Sequence, residues 1–551
     1  MSSTAPAGTQ AYPEKIDAAV LKVAGVVVLG AIMSILDITV VNVALPHFQT
    51  DLATDGGRLD YSTVAWTVTG YTLALATVIP LTGWAADRFG TKRLYLTAVA
   101  LFALGSTLCA FAPTIEMLIA FRVLQGLGGG MLMPLGMTIM TRAAGPQRMG
   151  RLMAILGIPM LLGPIGGPIL GGWLIDNAHW LGRPSWTWIF LINLPIGAAA
   201  LVYAWVVLPK DSAVPSESLD VVGLLLMSPG LAAFLYGISS IADTGTPAAT
   251  KVLAPAGIGI LFIGAFVWWS SKPAHPLLDL SLLRNRNFTI PALTMFLFAA
   301  SFFGGLLLLP TYFQEVRGEN TFHAGLLIAP QGVGALLTMP IAGALADRIP
   351  VGRIVPFGIA LITGGMFALT QMDESSSYWG FLIPVLFVMG LGMGGTMMPL
   401  MTSALKALTA HQVARGSTLL NIVQQVASSF GVALISMLLT SGQKDHPIIT
   451  QAAEFGEKSA GVTDPGAVQE LLARYPEVAK VVAGMDPTGW GDALRRAVGP
   501  LVAETFASTY WVSGGLCALT LVVALFLPRK REESHLLDGD EDAEPVHVAM
   551  H

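Results

Sequence analysis

The chain has 551 residues, of which 54% are hydrophobic and only 12% are charged, whereas about a quarter of the residues are charged in ordinary soluble domains. This imbalance excludes an ordinary soluble fold and predicts a membrane protein. The net charge of -5 is small and forms no basic footprint, so we expect no nucleic-acid partner. The two cysteines, Cys109 and Cys517, lie in separate apolar runs and are predicted to be packing residues, with neither a disulfide nor a metal site.

Fourteen segments are long and apolar enough to cross a bilayer, which takes about 20 residues each. Their even number places both termini on one side. Lys and Arg concentrate in the loops of that side, as cytoplasmic loops do, so both termini are predicted to be cytoplasmic. The short opposite loops hold only Arg58, Arg183, Lys251 and Arg317. The predicted spans are residues 20–45, 62–86, 94–112, 115–140, 151–175, 187–208, 219–241, 252–271, 288–313, 325–346, 352–371, 378–404, 417–440 and 505–528.

The first span carries an acid, Asp37, within the run SILDITVVNVALP. A carboxylate inside a bilayer is unfavourable by at least about 2.5–3.5 kcal/mol on insertion scales, so its presence suggests a function. Desolvation disfavours the charged form and a nearby cation favours it, so such a group can hold a proton in one state and release it in another. The alternative is an acid that braces a neighbouring helix without titrating. Its helical face is narrow and suited to burial, with Gly30, Ser34, Val41 and Ala44.

The sequence repeats itself between its two halves. GWAADRFGTKR at residues 83–93 and GALADRIPVGR at residues 343–353 share five positions at an offset of 260. GGMLMP at residues 129–134 and GGTMMP at residues 394–399 follow at an offset of 265. We therefore predict two related six-helix halves with two extra helices between them. Parallel repeats of this kind are typical of major-facilitator transporters, whose substrate sites lie between the halves.

The predicted fold is an all-α membrane protein with the major-facilitator arrangement. The loop between the last two spans is expected to form short helices near residues 464–485 and 491–506, and an interfacial helix is expected near residues 275–288. The predicted regions are a cytoplasmic N-terminal tail (1–19), a first six-helix bundle (20–208), two inserted transmembrane helices with an interfacial connector (209–287), a second six-helix bundle (288–440 and 505–528), an extracytoplasmic loop with short helices (441–504) and a cytoplasmic C-terminal tail (529–551).

The segment after the second span resembles the loop motif of the major facilitator superfamily, approximately G-x-L-A-D-R-x-G-R-K-R. The resemblance implies a conformational latch between helices that stabilises one access state. The alternative is an ordinary positive-inside loop, but the repeat in the second half favours the latch. The latch residues are predicted to be Gly83, Asp87, Arg88, Gly90 and Arg93, with Asp347 and Arg348 in the second half.

Arg122 lies inside the fourth span, where an arginine is as unfavourable as an aspartate. Gln125, Gly126 and Gly129 share its face, which is therefore predicted to point into the bundle. The pattern resembles the fourth-helix motif of the superfamily, in which the arginine is associated with proton translocation. The alternative is an arginine that only holds two helices together. Phe387 stands at the equivalent position of the second half, so the repeat itself does not require the charge.

The fifth span is rich in glycine and proline, which bend helices and let neighbours approach closely. It resembles the antiporter motif of the superfamily, and the resemblance implies export in exchange for an ion. A generic close helix contact is the alternative. The matching residues are Gly163, Pro164, Gly166 and Gly167.

The run LDITVVNVALP at residues 36–46 resembles the first-helix signature of fourteen-span drug:proton antiporters, and WIFLINLPIG at residues 188–197 supports the match. Thr187 replaces the arginine that the family usually has there. The resemblance implies that Asp37 carries the proton and that Arg122 tunes it. Polar residues expected along the substrate cavity are Asn42, Trp66, Tyr71, Gln125, Asn421, Gln424 and Gln425.

These observations predict a proton-coupled antiporter that exports amphipathic or lipophilic compounds by alternating access, in the manner of multidrug efflux. We expect a secondary active transporter and not an enzyme, without a cofactor other than the coupling proton. It is expected to be a monomer in a bacterial-type plasma membrane. Three alternatives stay open: the same fold exporting a lipid or a secreted natural product, a proton-coupled importer, and a membrane-embedded enzyme, for which the scattered histidines supply no metal-ligand cluster.

Overall fold

The secondary structure of the described residues consists of helices, as lipid requires, because a helix satisfies its own backbone hydrogen bonds. This computed structural model describes residues 17–53, 59, 61–144, 148–178, 182–209, 218–244, 246–273, 276–409, 412–459, 465–483 and 490–530. Among them, 13 helices are long and apolar enough to cross a membrane, and residues 149–160 form a further, shorter apolar helix. That segment is the first part of the helix that occupies the predicted fifth span. Together with the 13 long helices, it agrees with fourteen crossings.

The chain divides into a first half, an insert, a second half and a group of short helices. The first half contains α1 (Ala18–Asp51), α2 (Tyr61–Phe89), α3 (Thr91–Ala110), α4 (Ile115–Ala144), α5 (Met149–Asn177), α6 (Thr187–Leu191) and α7 (Asn193–Val207). The insert contains α8 (Val221–Thr244) and α9 (Thr250–Trp269). The second half begins with α10 (Arg286–Glu315), α11 (Thr321–Ala346), α12 (Val351–Leu369), α13 (Ile383–Gly394), α14 (Met397–Lys406) and α15 (Val413–Lys444). After the short helices α16 (Pro447–Ser459), α17 (Pro465–Arg474) and α18 (Pro476–Val482), it ends with α19 (Trp490–Ala524).

The two halves repeat the same helix pairings. In the first half α1 packs against α5, α2 against α4, and α3 against α4 and α7. In the second half α10 packs against α15, α11 against α13, and α12 against α13 and α19. Between the halves, α2 contacts α15 and α11 contacts α5. We call the end of the bundle that carries the α2–α3 and α11–α12 connections the latch end, and the opposite end, with α16 to α18, the far end.

The insert covers the seam between α2 and α15. Helix α8 packs against both of these helices and against α9. Ser228 donates to the carbonyl oxygen of Thr77 on α2 at 2.6 Å, and Tyr236 stacks on Trp66 with ring centroids 5.6 Å apart. Toward the far end, Ile241 and Val252 share a buried apolar cluster with Ala433 of α15. The insert thus contacts both halves at once.

Prolines explain where two predicted spans break into shorter helices. The predicted sixth span breaks at Ile192, between α6 and α7, because Pro195 has no amide hydrogen for the preceding turn. The predicted twelfth span begins with a π-helical turn at residues 378–382 and breaks between α13 and α14, where Gly395 is followed by Pro399.

Three expectations about the connections need correction. The predicted helix near residues 464–485 is divided at Pro476 into α17 and α18, since the residue before a proline disfavours helical geometry. The predicted piece at residues 491–506 is continuous with the last span in α19. The expected interfacial helix near residues 275–288 is only a 3-10 turn at Leu280–Arg284, because Asp279 caps that turn and Asn285 already caps α10.

Candidate functional site

A buried ion pair joins α1 and α4. Arg122 Nη1 donates to Asp37 Oδ2 at 2.5 Å, and both side chains are fully excluded from solvent. Arg122 Nε donates to the carbonyl oxygen of Thr67 on α2 at 3.0 Å. The guanidinium also lies over the ring of Tyr71, with Cζ 4.2 Å from the centroid. The two intramembrane charges that the sequence showed separately therefore neutralise each other.

Two amide side chains complete the surroundings of the Asp37 carboxylate. Gln125 Nε2 donates to Oδ1 at 2.8 Å, while Gln125 Oε1 accepts from Arg122 at 2.8 Å. Asn193 Nδ2 donates to the same Oδ1 at 3.2 Å and contacts Ser106 Oγ at 3.1 Å. These neighbours donate to the carboxylate, which accepts from all of them as an ionised group does. We call Asp37, Arg122, Gln125, Asn193 and Ser106 the charge cluster.

Asn193 and Ser106 were not singled out from the sequence. Asn193 begins α7, directly after the break at Ile192, and lies in the WIFLINLPIG run as a lone amide among apolar residues. Ser106 on α3 also donates to the carbonyl oxygen of Phe190 at 2.9 Å. The isolated asparagine was a usable signal, because polar groups inside a span usually face a partner. Nothing in the local pattern distinguished Ser106 from a packing serine.

Small residues make room for the charge cluster. A Cβ atom on Gly129 of α4 would lie 2.6 Å from the hydroxyl of Tyr71 and 3.3 Å from Ser34 Oγ. Ser34 Oγ and the Tyr71 hydroxyl are 3.4 Å apart. A larger residue at position 129 would therefore displace the ring on which the guanidinium of Arg122 rests.

One nitrogen of the guanidinium has no hydrogen-bond partner within the described ranges. Arg122 Nη2 is buried and unpaired. A buried donor without an acceptor is unfavourable by about 1–3 kcal/mol. The guanidinium therefore has capacity for one further acceptor beyond Asp37, Gln125 and Thr67.

The second half has a neutral counterpart of the charge cluster. Ser301 on α10 donates to the carbonyl oxygen of Ser513 on α19 at 2.8 Å, and Ser513 Oγ donates back to that of Ser301 at 2.9 Å. Met366 on α12 accepts from Ser301 at 3.6 Å. In the sequence, Ser301 follows Asp37, and Met366 follows Ser106, by nearly the same offset that separates the repeated motifs of the two halves. The intramembrane charges thus belong to the first half, whereas the helix pairings belong to both.

The predicted latch of the first half lies where α2 meets α15. A Cβ atom on Gly83 would lie 3.2 Å from Thr418 Oγ1 and 3.4 Å from Arg415 Cα, so the glycine allows close approach. Asp87 Oδ1 pairs with Arg142 Nη2 at the end of α4, at 3.5 Å. Gly90 has a φ of 87°, which favours glycine, and lies directly before α3. Arg88 is half-buried and Arg93 is exposed.

The equivalent latch of the second half lies where α11 meets the start of α5. Asp347 is buried and accepts hydrogen bonds from the backbone amides of Gly150 at 2.8 Å and Arg151 at 3.3 Å. A carboxylate there complements the partial positive charge of a helix N-terminus. Lys406 Nζ lies 3.6 Å from Asp347 Oδ1. Arg348 points away and is exposed.

The latch cations, Arg142 and Lys406, were also missed in the sequence. They occupy equivalent positions at the ends of α4 and α14, at an offset of 264, and each pairs with the aspartate of its own half. That shared offset was the available signal. Without the tertiary structure it could not be distinguished from the general excess of basic residues in these loops.

The two halves touch along α5 and α11 mainly toward the latch end. A Cβ atom on Gly343 would lie 2.6 Å from the carbonyl oxygen of Gly150, and one on Gly157 would meet Met339. Farther along, Gly334 of α11 lies against α13 of its own half. The later part of α5 lies against α1, also within its own half. The halves are therefore closed at the latch end by two pseudo-symmetric contacts.

The predicted antiporter motif lies in that later part of α5. Cβ atoms on Gly163 and Gly167 would collide with Ile35 and Thr39 of α1. Thr39 Oγ1 donates to the carbonyl oxygen of Gly163 at 3.0 Å. A Cβ atom on Gly166 would lie 3.6 Å from Cδ2 of Leu36. The side chain of Pro164 lies outside the described residues. These glycines thus form a close contact with the helix that carries Asp37.

The predicted cavity residues do not form a single group. Tyr71 and Gln125 are fully buried beside the charge cluster. Asn42 and Trp66 are exposed, and Trp66 stacks on the insert. On α15, Asn421 Nδ2 lies 3.0 Å from the sulfur of Met137 on α4, so this side chain bridges the halves. Gln424 and Gln425 are half-buried.

The sequence of this chain matches a known family and several of its members. The model of the Major Facilitator Superfamily matches residues 27–432. The chain belongs to the major facilitator superfamily. It is 45% identical over 96% of its length to the multidrug resistance protein B homolog of Mycobacterium tuberculosis, of which it covers 93%. It is 31% identical over 76% of its length to the multidrug export protein EmrB of Escherichia coli, of which it covers 80%.

Solved structures of the superfamily show the same fold. The proton:xylose symporter XylE superposes with a TM-score of 0.56 at 15% identity, covering 93% of this chain and 98% of XylE. The human organic anion transporter MFSD10 superposes with a TM-score of 0.55 at 15% identity, covering 90% and 99% of the two chains. The predicted major-facilitator fold is confirmed, and this superfamily member is a multi-pass membrane transporter. Among its described residues, no group of three or more His, Cys, Asp or Glu side chains could hold a metal ion.

Proposed function

We propose that this chain exports amphipathic or lipophilic compounds in exchange for protons, by alternating access. The observation that carries the proposal is the fully buried pair of Asp37 and Arg122 with its amide donors. A titratable carboxylate held against a cation, away from water, can link proton binding to a change of conformation. We propose that Asp37 carries the proton, that Arg122 tunes it, and that the transporter acts as a monomer without a resident cofactor.

The energy available from the pair is of the right size for coupling. Protonation of Asp37 would leave Arg122 as a buried charge without its counter-ion, and breaking a buried pair is unfavourable by about 3–5 kcal/mol. Moving a two-state equilibrium from 1:99 to 99:1 takes about 5.5 kcal/mol. Loss of the pair therefore supplies most of the free energy needed to favour a second arrangement of the helices. The unpaired Nη2 of Arg122 offers a place for a replacement acceptor in that arrangement.

The orientation follows from charge. The loops and chain ends on the latch side hold most of the Lys and Arg residues outside the spans, so we propose that the latch end and both termini are cytoplasmic in a bacterial-type plasma membrane. Since both latches are engaged, this conformation is closed toward the cytoplasm and is the one that releases an exported compound. The glycine contact between α5 and α1 would transmit changes at Asp37 to a helix that contacts the other half.

The substrate class rests on the relatives. Their names, multidrug resistance protein and multidrug export protein, support amphipathic drugs as substrates. Five predicted cavity residues are not fully buried, and none of them carries a charge, which favours partly apolar compounds. They are Asn42, Trp66, Asn421, Gln424 and Gln425.

Transport in proteoliposomes with an imposed pH gradient tests the proposal. The wild-type protein is expected to move a cationic dye against its gradient and to release protons as it does so. Asp37→Asn is expected to abolish both signals, because the amide cannot exchange a proton. Glu315→Gln is the matched control, since Glu315 lies near the far end of α10 and pairs with Gln443, apart from the charge cluster.

Three results would contradict this assignment. An Asp37→Asn protein that still concentrates the dye would remove the proton-carrying role. A panel in which lipids, but no drugs, drive proton release would assign the fold to lipid export. Uptake of substrate with protons moving in the same direction would identify an importer.

A further inference from the structure

Two basic segments that lie far apart in the sequence meet at the latch end. Arg286 begins α10, and Arg529 follows the end of α19. Together they line an open groove of about 350 Å³. Its other lining residues are Asn287, Ile290, Leu525, Phe526, Leu527 and Pro528. The groove lies in the second half, whereas the charge cluster lies in the first.

One wall of the groove is anchored by the backbone. Gly352 N, in the first turn of α12, donates to the carbonyl oxygen of Pro528 at 3.2 Å. A Cβ atom on Gly352 would lie 2.7 Å from that oxygen, so the glycine permits the close approach. The segment before Arg529 is therefore fixed against α12, and this guanidinium is presented at a defined edge of the groove.

No described residue compensates the charges in the groove. None of the eight lining residues is acidic, and no ion pair of the described residues involves Arg286 or Arg529. Both arginines are exposed, and so are their neighbours Arg284 and Lys530. Two guanidinium groups that face the same groove, without an ion-pair partner in the part of the chain that the structure describes, indicate an anionic ligand.

The groove is apolar beside its charges. Leu525 and Phe526 are 50% and 60% exposed, and Ile290 lies on the first turns of α10. Because α10 enters and α19 leaves the apolar part of the bundle here, the groove lies where the membrane interface meets water. A ligand that fits must carry a negative charge at one end and hydrocarbon at the other.

We propose that this groove binds the phosphate headgroup of an anionic phospholipid, with the acyl chains along Leu525 and Phe526. Arginine suits the site because its planar guanidinium pairs with phosphate oxygens in bidentate geometry. The apolar side chains favour a lipid over free phosphate, which shares the charged chemistry but has no hydrocarbon to bury.

Lipid retention by the purified full-length protein tests this site. The protein is exchanged into nanodiscs with defined fractions of phosphatidylglycerol and phosphatidylcholine, and bound lipid is counted by native mass spectrometry after release. The wild-type protein is expected to retain phosphatidylglycerol in preference to phosphatidylcholine. Each basic residue near an anionic lipid surface contributes on the order of a fivefold preference, so Arg286→Gln with Arg529→Gln is expected to weaken retention by about 25-fold.

The matched control removes the same charge from the same end of the molecule. Lys22 and Lys272 are exposed at the latch end outside the groove, and the pair Lys22→Gln with Lys272→Gln is expected to retain the lipid as the wild-type protein does. Thermal unfolding of both double variants verifies that they are folded.

Four outcomes would overturn the proposal. The first is equal retention in the groove variant and the wild-type protein, and the second is equal retention of the two lipids. The third is displacement of the lipid by inorganic phosphate at equal concentration, which would assign the groove to free phosphate. The fourth is retention that appears only after residues 532–551 are removed, which would assign the groove to the acidic C-terminal tail.

Discussion

At the scale of single residues, the charge cluster illustrates how a buried pair differs from its two isolated members. Asp37 or Arg122 alone would leave a charge inside the bundle, whereas together they are neutral and hydrogen-bonded on several sides. Asn193 and Gln125 orient the carboxylate from α7 and α4. Because hydrogen bonds to charged groups are worth about 1.5–3 kcal/mol, these amides stabilise the pair in this conformation.

The ring of Tyr71 allows a residue-scale prediction. Gly129→Ala would place a Cβ atom 2.6 Å from the Tyr71 hydroxyl, so the ring must move from beneath Arg122. Overpacking of this kind is unfavourable by about 1–3 kcal/mol, and we expect a lower thermal midpoint and reduced dye transport. Gly172→Ala on α5 is the control, because nothing lies within 4 Å of its added Cβ. Unchanged transport and stability in Gly129→Ala would contradict the supporting role of Tyr71.

At the scale of helices, the two latches share a design but differ in burial. The side chains of Asp347 and Lys406 are 2% and 8% exposed, whereas those of Asp87 and Arg142 are 13% and 37% exposed. Exposed pairs contribute about 0–1 kcal/mol, whereas removing one member of a buried pair is unfavourable by several. The buried Asp347 also accepts hydrogen bonds from the backbone amides of Gly150 and Arg151 in the other half. We therefore infer that the contact between α11 and α5 holds the latch end closed more strongly than the contact between α2 and α15.

This difference predicts unequal effects of removing the two latch cations. Lys406→Met is expected to lower the free energy that holds the latch end closed. The loss should be smaller than the ~3–5 kcal/mol of a fully broken buried pair, since Arg151 still lies 3.5 Å from Asp347. Arg142→Met is expected to have a smaller effect. The measurement is the thiol-labelling rate of Ala346→Cys, a position that is only 4% exposed here. Faster labelling in Arg142→Met than in Lys406→Met would refute the ranking.

In the whole molecule, the insert is a second feature, besides the charge cluster, that breaks the symmetry of the two halves. Helix α8 contacts α2 and α15 together, so it covers the seam on one side of the bundle. In the alternating access that we propose, rocking of the halves would change the distance between α2 and α15, and α8 could not follow both helices rigidly. We therefore expect the insert to slide over at least one of them during transport.

Thiol cross-links made with a cleavable, disulfide-containing bifunctional reagent test this sliding. One link joins Trp66→Cys to Tyr236→Cys, whose parent rings stack, and ties α8 to the first half. A second link joins Ile241→Cys to Ala433→Cys, from one buried cluster, and ties α8 to the second half. Either link alone is expected to leave transport largely intact, whereas both together are expected to stop it until a reductant is added. Normal transport by the doubly linked protein would show that the insert does not restrain the halves.

Much of the architecture was predictable from local features of the sequence. Spans are recognised from about 20 apolar residues, and the halves from motifs that recur at a nearly constant offset. The predictions failed where single residues redirect the backbone, as Pro476 does between α17 and α18 and Asn285 does before α10. A window that averages over a whole span does not detect a cap or a single missing amide hydrogen.

Hydropathy, repeats and charge are properties of the chain, so they were enough to predict a membrane protein of two related helical halves with charges in the first. The contact of Asp37 with Arg122 across 85 residues, the addition of Asn193 and Ser106, and the groove shared by Arg286 and Arg529 became visible only in the folded protein. The physical reason is that contacts between helices depend on their rotation and crossing angles. These follow from the packing of many side chains together, and no local pattern specifies them.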